Sequence, residues 1–420
     1  MRRLRIRGTN FEIGRTLGMV ARERYGQSAA RYRTDPIYGR ARRQYYQRNY
    51  PIHWERMRGV AAAFGVDPED DAFDLSGLIY NAFSGGNIPV GCSTVSVPPS
   101  LTATGHGYLS RNFEFPPVSL ADFLHDFLQL PLPPEDKAKQ RPAFSEPYLM
   151  EWYPQDGGYA SIAIQAGDLL SGTFDGMNSA GLVVAILADA EAMMMMGPNI
   201  EIHPVQHIRA IGLLENQVMR LLLDTCPTVD EARETLLAIK DFYKFMPMIY
   251  TVADRTGHSF VYEHSIGRNA QYVIEGTGSP QLATNFLQHR HPAGDPAFDA
   301  PLTPETDMFW RYRKLSDLVS AHGRPFTADD LKVLHAEVSL PRLFQNLRVA
   351  ATAQSPGGVD AGSAAYFQNR TLWYSLFDQG TGTVAYRFYL GDEMSDDGHL
   401  DARRSDYLTF TLEDFGSTVS

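Results

Sequence analysis

Cysteine is scarce in this 420-residue chain, which has two, Cys92 and Cys226. Two thiols exclude a disulfide framework and a thiolate-rich zinc site. No apolar run approaches the roughly 18 residues needed to span a bilayer. The opening Met-Arg-Arg-Leu-Arg-Ile-Arg-Gly is basic but lacks the apolar segment of a secretory signal. The expectation is a soluble, cytoplasmic protein with no membrane partner. The Gly-x-Ser-x-Gly elbow, the Walker loop and a Gly-x-Gly-x-x-Gly after a strand are all missing. Lysine is absent from residues 1–60, which instead hold 15 Arg against four acids. With 44% hydrophobic and 21% charged residues, the composition excludes a disordered chain, a collagen-like fibre and a coiled coil.

The net charge of −11 is unevenly spread, since residues 1–60 alone carry +11. A segment this basic raises nucleic-acid binding. The ordinary reading is solvated or salt-bridged helix faces.

Residues 10–64 read as mainly helical, with Phe11, Ile13, Leu17 and Val20 on one apolar face. Asp67-Pro68-Glu69-Asp70-Asp71 reads as a turn feeding an acidic helix start. Ser84-Gly85-Gly86-Asn87 is a loop signal ahead of strands at 94–97 and 107–115, joined as a hairpin. Seven prolines break regularity across 116–150, which predicts a surface insertion or lid around a short amphipathic stretch, 120–130. Strands follow at 159–166, 169–174 and 181–188, with Gly176-Met177-Asn178 as a turn between them. Two helices are expected within 205–239, the second opened by a capping box at Thr228 and Glu231. Strands at 248–254, 259–264, 270–274 and 281–284, helices at 304–321 and 327–337, and a strand pair at 371–378 and 383–389 complete the chain. Hairpin-linked strands in blocks, alternating with helix pairs, point to antiparallel sheets covered by helices.

Among chemical groups, His203 and His207 lie four apart, but Pro204 and the absence of the intervening Glu remove the metalloprotease pattern. His289 and His291 beside Arg290 read as a solvated turn. Cys226, in Asp224-Thr225-Cys226-Pro227 at a helix end, reads as structural. Cys92 follows Gly91 where a Gly-rich loop meets a strand. Its ordinary reading is a small buried hydrophobe. Its surroundings change that, because Arg111-Asn112-Phe113-Glu114 sits on the adjoining predicted strand. An arginine beside a thiol favours the thiolate, and a carboxylate beside both can orient an amine or the guanidinium. Taken alone, Arg111 and Glu114 read as a cross-strand ion pair.

Gly91-Cys92-Ser93-Thr94 followed by Arg111-Asn112-Phe113-Glu114 resembles the start of the mature chain in cysteine N-terminal-nucleophile (Ntn) hydrolases. That group includes penicillin V acylase, bile salt hydrolase and the isopenicillin-N acyltransferase branch of linear-amide enzymes. Gly8-Thr9-Asn10-Phe11-Glu12-Ile13-Gly14, with Gly18, is similar to the pro-segment opening of the acyltransferase branch. Asp175-Gly176-Met177-Asn178-Ser179-Ala180-Gly181-Leu182 resembles the family's Gly-Met-Asn-Glu-x-Gly-Leu turn. Thr284-Asn285 is similar to its oxyanion asparagine, and Trp310-Arg311-Tyr312 to the arginine opening a later helix. The matches run from residue 8 to about 390. Two departures stand out. Glu114 replaces the usual Asp, and Ala188-Asp189 stands where bile salt hydrolases carry a polar residue.

The resemblance implies an α+β fold, a four-layer αββα sandwich with two mainly antiparallel sheets, built as one domain over 1–420. It implies self-cleavage between Gly91 and Cys92, giving a pro-segment of residues 1–91 and a catalytic fragment of 92–420. A residue without Cβ at 91 tolerates the strained geometry such a cut requires. Cys92 would then carry its own α-amine as general base, so no histidine, metal or other cofactor is required. Asn285 would donate to the oxyanion, Arg111 would hold the thiolate, and Glu114 would orient the amine. Asn112 and Arg311 complete the catalytic candidates. Phe113, Phe115, Asn178, Asp189 and Met193 are the candidates for contact with substrate, an amide with an apolar acyl group. Phe123, Phe127, Trp152, Tyr153 and the run Met193 to Met196 would extend an apolar wall, though core packing is the ordinary reading of such residues.

Residues 61–91 add five acids and no bases, so the small fragment carries +6 and the large one −17. Opposite charge would help the two fragments of one chain stay associated. Two alternatives stay open: transfer of the acyl group to an amine instead of water, and an uncleaved nucleic-acid-binding protein. A homo-oligomer is also left open.

Overall fold

The computed structural model describes residues 1–26, 32–33, 35–78, 91–117, 144–196, 211–242, 247–264, 270–303, 305–340, 369–394 and 400–416. The core of the predicted insertion, including Phe123 and Phe127, lies outside the described residues, as do His203, His207 and the side chain of Met193.

The chain opens with strand β1 (Arg2–Gly8) and helix α1 (Asn10–Tyr25). Thr9 caps α1 reciprocally with Glu12, so the Thr9-to-Glu12 spacing starts the helix. Short β2 (Tyr32–Arg33), α2 (Pro36–Asn49), α3 (Pro51–Phe64) and short β3 (Phe73–Asp74) follow. The acidic run 67–71 therefore ends in a turn and a bridge, not in a helix. The reason lies in its partners: Asp71 pairs with Arg40 and Arg43, Glu69 with Arg43, and Asp74 with Arg42, all on α2. Helices α1 and α3 meet backbone to backbone. A Cβ on Gly14 would stand 2.0 Å from the Arg56 carbonyl oxygen, and one on Gly59 2.0 Å from that of Phe11. Only glycine permits that approach.

Two sheets form the centre. The first has the order β1, β6 (Tyr148–Pro154), β7 (Ser161–Gln165), β8 (Thr173–Asn178), β9 (Val183–Ala188), β12 (Met248–Ala253), β13 (Ser259–His264) and β14 (Gln271–Glu275). It is antiparallel except where β1 runs parallel to β6. The second has the order β15 (Gln281–Ala283), β4 (Gly91–Val97), β5 (Tyr108–Phe115), β16 (Arg370–Asp378), β17 (Thr383–Met394) and β18 (Leu400–Arg404). Strand β19 (Leu408–Thr411) also pairs with β17. Between them in sequence lie α4 (Ala190–Met196), the two-residue pair β10 (Leu213–Leu214) and β11 (Asp241–Phe242), α5 (Glu215–Thr225) and α6 (Val229–Ala238). Helices α7 (Asp307–Ser320) and α8 (Ala328–Glu337) come after β15.

The sheets pack on each other through β4, β5 and β9. Helices α1 and α5 cover the first sheet, with α3 packed on α1, and α7 and α8 cover the second. This is the expected α+β sandwich in four layers. Every residue of β4 and of β5 is buried because both faces of these strands are covered. Among the described residues, no helix is long and apolar enough to cross a membrane.

Two strands depart from the sequence reading. Asp175 to Asn178 is strand, and the turn falls at 179–182. Tyr148–Pro154, whose first three residues read as the end of the insertion, is β6. The expected pocket residues Trp152 and Tyr153 lie on it, away from Cys92. Trp152 sits between the guanidiniums of Arg56 and Arg220, at 4.6 and 4.7 Å, and Tyr153 lies under Arg5 and Arg7.

Candidate active site

Period-two alternation on the β4–β5 hairpin decides what faces what. Cys92 lies opposite Phe113, Thr94 opposite Arg111, and Gly91 opposite Glu114. Cys92, Arg111, Phe113 and Phe115 point between the sheets, toward β8 and β9. Ser93, Asn112 and Glu114 point to the helix layer.

Strands β8 and β9 pair from Asp175 to Met177 but part beyond Asp175, leaving carbonyls without ladder partners. Arg111 fills that fork. Its Nη1 donates to the Phe174 carbonyl at 3.1 Å and to Asp175 Oδ2 at 2.7 Å, and its Nη2 donates to the Ile186 carbonyl. Nη2 also lies 3.6 Å from Cys92 Sγ. Asp175 is fixed in turn by Trp373 Nε1 at 2.8 Å and Tyr386 OH at 3.4 Å. Arg111 and Asp175 are both fully buried, so the ion pair supplies the charge balance that burial demands. Asp175 was seen in the sequence as part of a turn, with no chemical role. An acid among apolar strand residues, which demands a buried cation, was the available signal.

Asn285 approaches from the end of β15. Its Oδ1 accepts from the Cys92 backbone N–H at 2.6 Å and from Arg311 Nη2 at 2.9 Å. Its Nδ2 donates to the Ala188 carbonyl at 2.7 Å. Two donors facing one end and a carbonyl facing the other fix the amide orientation. In this state Asn285 Oδ1 is therefore an acceptor for the Cys92 nitrogen. One hydrogen of Nδ2 goes to Ala188, leaving a second. The Asn285 carbonyl receives the Ala190 and Glu191 N–H groups, so the corner between β9 and α4 grips the residue at both ends.

Arg311 is fully buried. Its Nη1 donates to the Cys92 carbonyl at 2.6 Å, its Nε to Asp307 at 2.8 Å, and Nη1 stands 3.6 Å from Glu114 Oε2. Arg313, two residues further along the helix, instead reaches the Phe298 carbonyl.

Glu114 Oε1 accepts from Thr371 Oγ1 at 3.2 Å, while Oε2 is buried without a hydrogen bond. Burial pushes its carboxyl up to about 7, Arg311 pulling down and Asp307 pushing up. Asp189 is buried at the end of β9. Its Oδ1 accepts from the Ala192 N–H at 2.8 Å, and its Oδ2 has no hydrogen bond. Burial lifts it to about 8.

Three sequence readings are corrected. Asn112 faces away from Cys92, its amide donating to the His335 carbonyl at 3.0 Å, and so it supports α8. Asn178 is committed to its own turn: Nδ2 donates to the Leu223 and Cys226 carbonyls, and Oδ1 accepts from Ala180 and Leu182 N–H. That leaves little for a substrate. Gly91 is not in the left-handed region, so backbone strain does not explain it. Cys226 is buried among the Thr225 and Thr235 hydroxyls, consistent with packing.

Phe113 stacks on Trp373 with centroids 3.9 Å apart, and Phe174, Phe144 and Phe115 extend the cluster. The Arg111 guanidinium lies 5.0 Å from the Phe113 centroid. An aromatic wall thus adjoins the Cys92 thiol.

A search of curated proteins finds no match. Among solved structures, the chain is similar to penicillin V acylase from Agrobacterium tumefaciens, with 15% identity over 71% of this chain and 83% of that one, at a TM-score of 0.41. It is also similar to a variant of conjugated bile acid hydrolase from Clostridium perfringens, with 12% identity over 78% and 99% of the two chains, again at 0.41. Residues 138–293 match the model of the acyl-coenzyme A:6-aminopenicillanic acid acyl-transferase family. The matched segment, which holds Asp175, Asn178, Asp189 and Asn285, is similar to that acyl-transferase family, in keeping with the resemblance to N-terminal-nucleophile amide enzymes.

Proposed function

We propose that the chain is a self-processing cysteine amidase or acyltransferase acting on a linear amide with an apolar acyl group. The observation that carries this reading is the convergence on Cys92 of three buried groups. Arg111 meets its sulfur, Asn285 its nitrogen and Arg311 its carbonyl.

Processing begins with attack of Cys92 Sγ on the Gly91 carbonyl. The S–C bond forms, the C–N bond breaks, and the thiol proton ends on the Cys92 nitrogen. Water then hydrolyses the thioester, releasing a Gly91 carboxylate and a free thiol. The new α-amine has an ordinary pKa of about 7.7–8.0, close enough to neutrality to act as general base. Asn285 Oδ1 already accepts from that nitrogen and would hold it beside the sulfur.

In turnover the amine takes the thiol proton while the sulfur attacks the substrate carbonyl. Arg111 supplies positive charge next to the sulfur as the proton leaves. The remaining Nδ2 hydrogen of Asn285 is the oxyanion donor. The amine proton passes to the leaving nitrogen, and the acyl group stays on sulfur as a thioester against the aromatic cluster of Phe113, Phe115, Phe174 and Trp373. Water or a second amine then takes the acyl group.

The nucleic-acid alternative loses ground because a good part of the basic segment is engaged within the protein. Arg40, Arg42 and Arg43 meet the acids at 69–74, Arg3 meets Glu151, and Arg5 and Arg7 meet Glu413.

The test is the intact mass of purified protein under denaturing conditions, followed by turnover of a panel of N-acyl amines. Two fragments, 1–91 and 92–420, with an intact and inactive Cys92→Ala protein support the reading. A whole wild-type chain that hydrolyses amides through another residue removes it. Hydroxylamine added during turnover separates the two fates of the thioester, since a transferase yields hydroxamate in preference to acid.

A further inference from the structure

Gly91 carries no positive φ, so its lack of a side chain needs another cause. The cause lies across the hairpin. A Cβ on Gly91 would stand 2.4 Å from Glu114 Oε2, 3.1 Å from Glu114 Cβ and 3.4 Å from its Cδ. Real carbon atoms do not approach an oxygen to 2.4 Å, so any other residue at 91 has to push the carboxylate aside. That carboxylate is not free to swing. Thr371 Oγ1 holds Oε1 at 3.2 Å, Arg311 Nη1 stands 3.6 Å from Oε2, and the group is fully buried. Oε2 has no hydrogen-bond partner, as expected for an atom facing an α-carbon.

Resting on the self-processing reading, we propose that Glu114 and Gly91 are a size-matched pair, Glu114 being a positioning residue for cleavage that admits only glycine before the nucleophile. The carboxylate packs on the α-carbon of the acyl donor and, through Arg311, shares a contact with the Cys92 carbonyl. The face of the scissile peptide opposite the thiol side is thereby held from both flanking residues. A side chain at 91 displaces the carboxylate, loosens Arg311, and lets the Gly91 carbonyl drift from the sulfur. A shorter acid at 114 draws the oxygen back by about one bond length, about 1.5 Å, and makes room for a methyl group.

The experiment is a double-mutant cycle on the full chain with Gly91→Ala, Glu114→Asp and the combination, read as the rate of fragment appearance by mass spectrometry after refolding. Gly91→Ala is expected to slow cleavage at least tenfold. The double variant is expected to recover to within threefold of Glu114→Asp alone. Wild-type speed in Gly91→Ala, or a double variant no faster than Gly91→Ala, overturns the pairing. If Gly91→Ala fails to accumulate, the double variant must accumulate and cleave, and its absence counts equally against the pair. If the wild type itself stays uncleaved, the self-processing reading fails. The pair is then read from the four melting temperatures, where Glu114→Asp has to restore what Gly91→Ala loses.

Discussion

Arg111 stands with one guanidinium nitrogen 3.6 Å from Cys92 Sγ and the other 2.7 Å from Asp175 Oδ2, so a single planar group joins the thiol to a buried acid on the opposite sheet. The relationship is indirect but rigid. Asp175 does not touch the sulfur, yet it fixes the cation that does, and Trp373 and Tyr386 fix Asp175.

Asp175→Ala is therefore expected to damage both stability and chemistry. Removing one partner of a fully buried pair typically costs about 3–5 kcal/mol, because the remaining charge has no solvent to turn to. Asp175→Asn keeps the volume and part of the hydrogen bonding. It should fold and lower kcat, with slower alkylation of Cys92 by iodoacetamide. Unchanged alkylation in a folded Asp175→Asn protein would show that Arg111 is held without Asp175. Arg111→Lys should not rescue activity, since an ammonium cannot span Phe174, Asp175 and Ile186 at once.

Asn285 offers a cleaner separation of binding from chemistry. Loss of an oxyanion donor typically costs about 10²–10³ in kcat, and Asn285→Ala also frees the Cys92 nitrogen from its acceptor. The expected result is a fall of at least that size in kcat with KM within a few-fold. A change confined to KM would move Asn285 to a substrate-binding role.

Much of this was legible beforehand, and the failures have a common physical origin. Thr9, Thr228 and Thr327 each cap the helix that follows, because a hydroxyl before a helix start has a local job. The β4–β5 hairpin and the weight placed on Cys92 also rest on local pattern. Its alternation even separates Arg111 and Phe113 from Asn112 and Glu114, although all four were first grouped as site residues. What escaped was non-local. The fork between β8 and β9, which makes Asp175 and Arg111 partners, lies beside a register shift in the β7–β8 pairing that leaves Phe174 as the extra residue. Strand β6 was hidden by the prolines around it. The burial of Arg311 over Arg313 depends on which face of α7 meets β4, and no run of neighbours reveals that.

The two predicted fragments are joined by more than their net charges. Arg56, from the small one, pairs with Asp224 of the large one. Asp224 also accepts from Arg220 at 2.8 Å and from Tyr50, and all four are buried. Strand β1 adds seven residues of parallel pairing with β6. Buried pairs are screened far less than exposed ones. Raising salt to 1 M should weaken the outer pairs, Arg5 and Arg7 with Glu413 and Asp414 and the half-exposed Arg3 with Glu151, and leave the buried ones, so a cleaved protein should still run as one species on gel filtration. Arg56→Met, by contrast, should lower the melting temperature sharply and promote separation of the fragments. Dissociation of the wild type by salt alone would show that the outer ion pairs dominate.

Asp189 makes stability depend on pH with a definite sign. Burial raises its carboxyl to about 8 in the folded protein, Glu191 and Glu263 adding to the effect and Arg290 opposing it. In the unfolded chain it titrates near the ordinary aspartate value of 3.8. The folded state therefore binds the proton more tightly. The stabilisation from that proton is complete below pH 3.8 and is lost as pH rises through about 8. Asp189→Asn mimics the protonated form, keeping an acceptor for the Ala192 N–H. The variant should match the wild type in melting temperature near pH 4 and exceed it increasingly from pH 5 to pH 8. Taking the difference between the two proteins matters, since His53 and His335 are buried with depressed values of about 4 and 3 and pull the other way in acid. A difference that stays flat across this range would mean that Asp189 is ionised in the folded protein and finds a cation there.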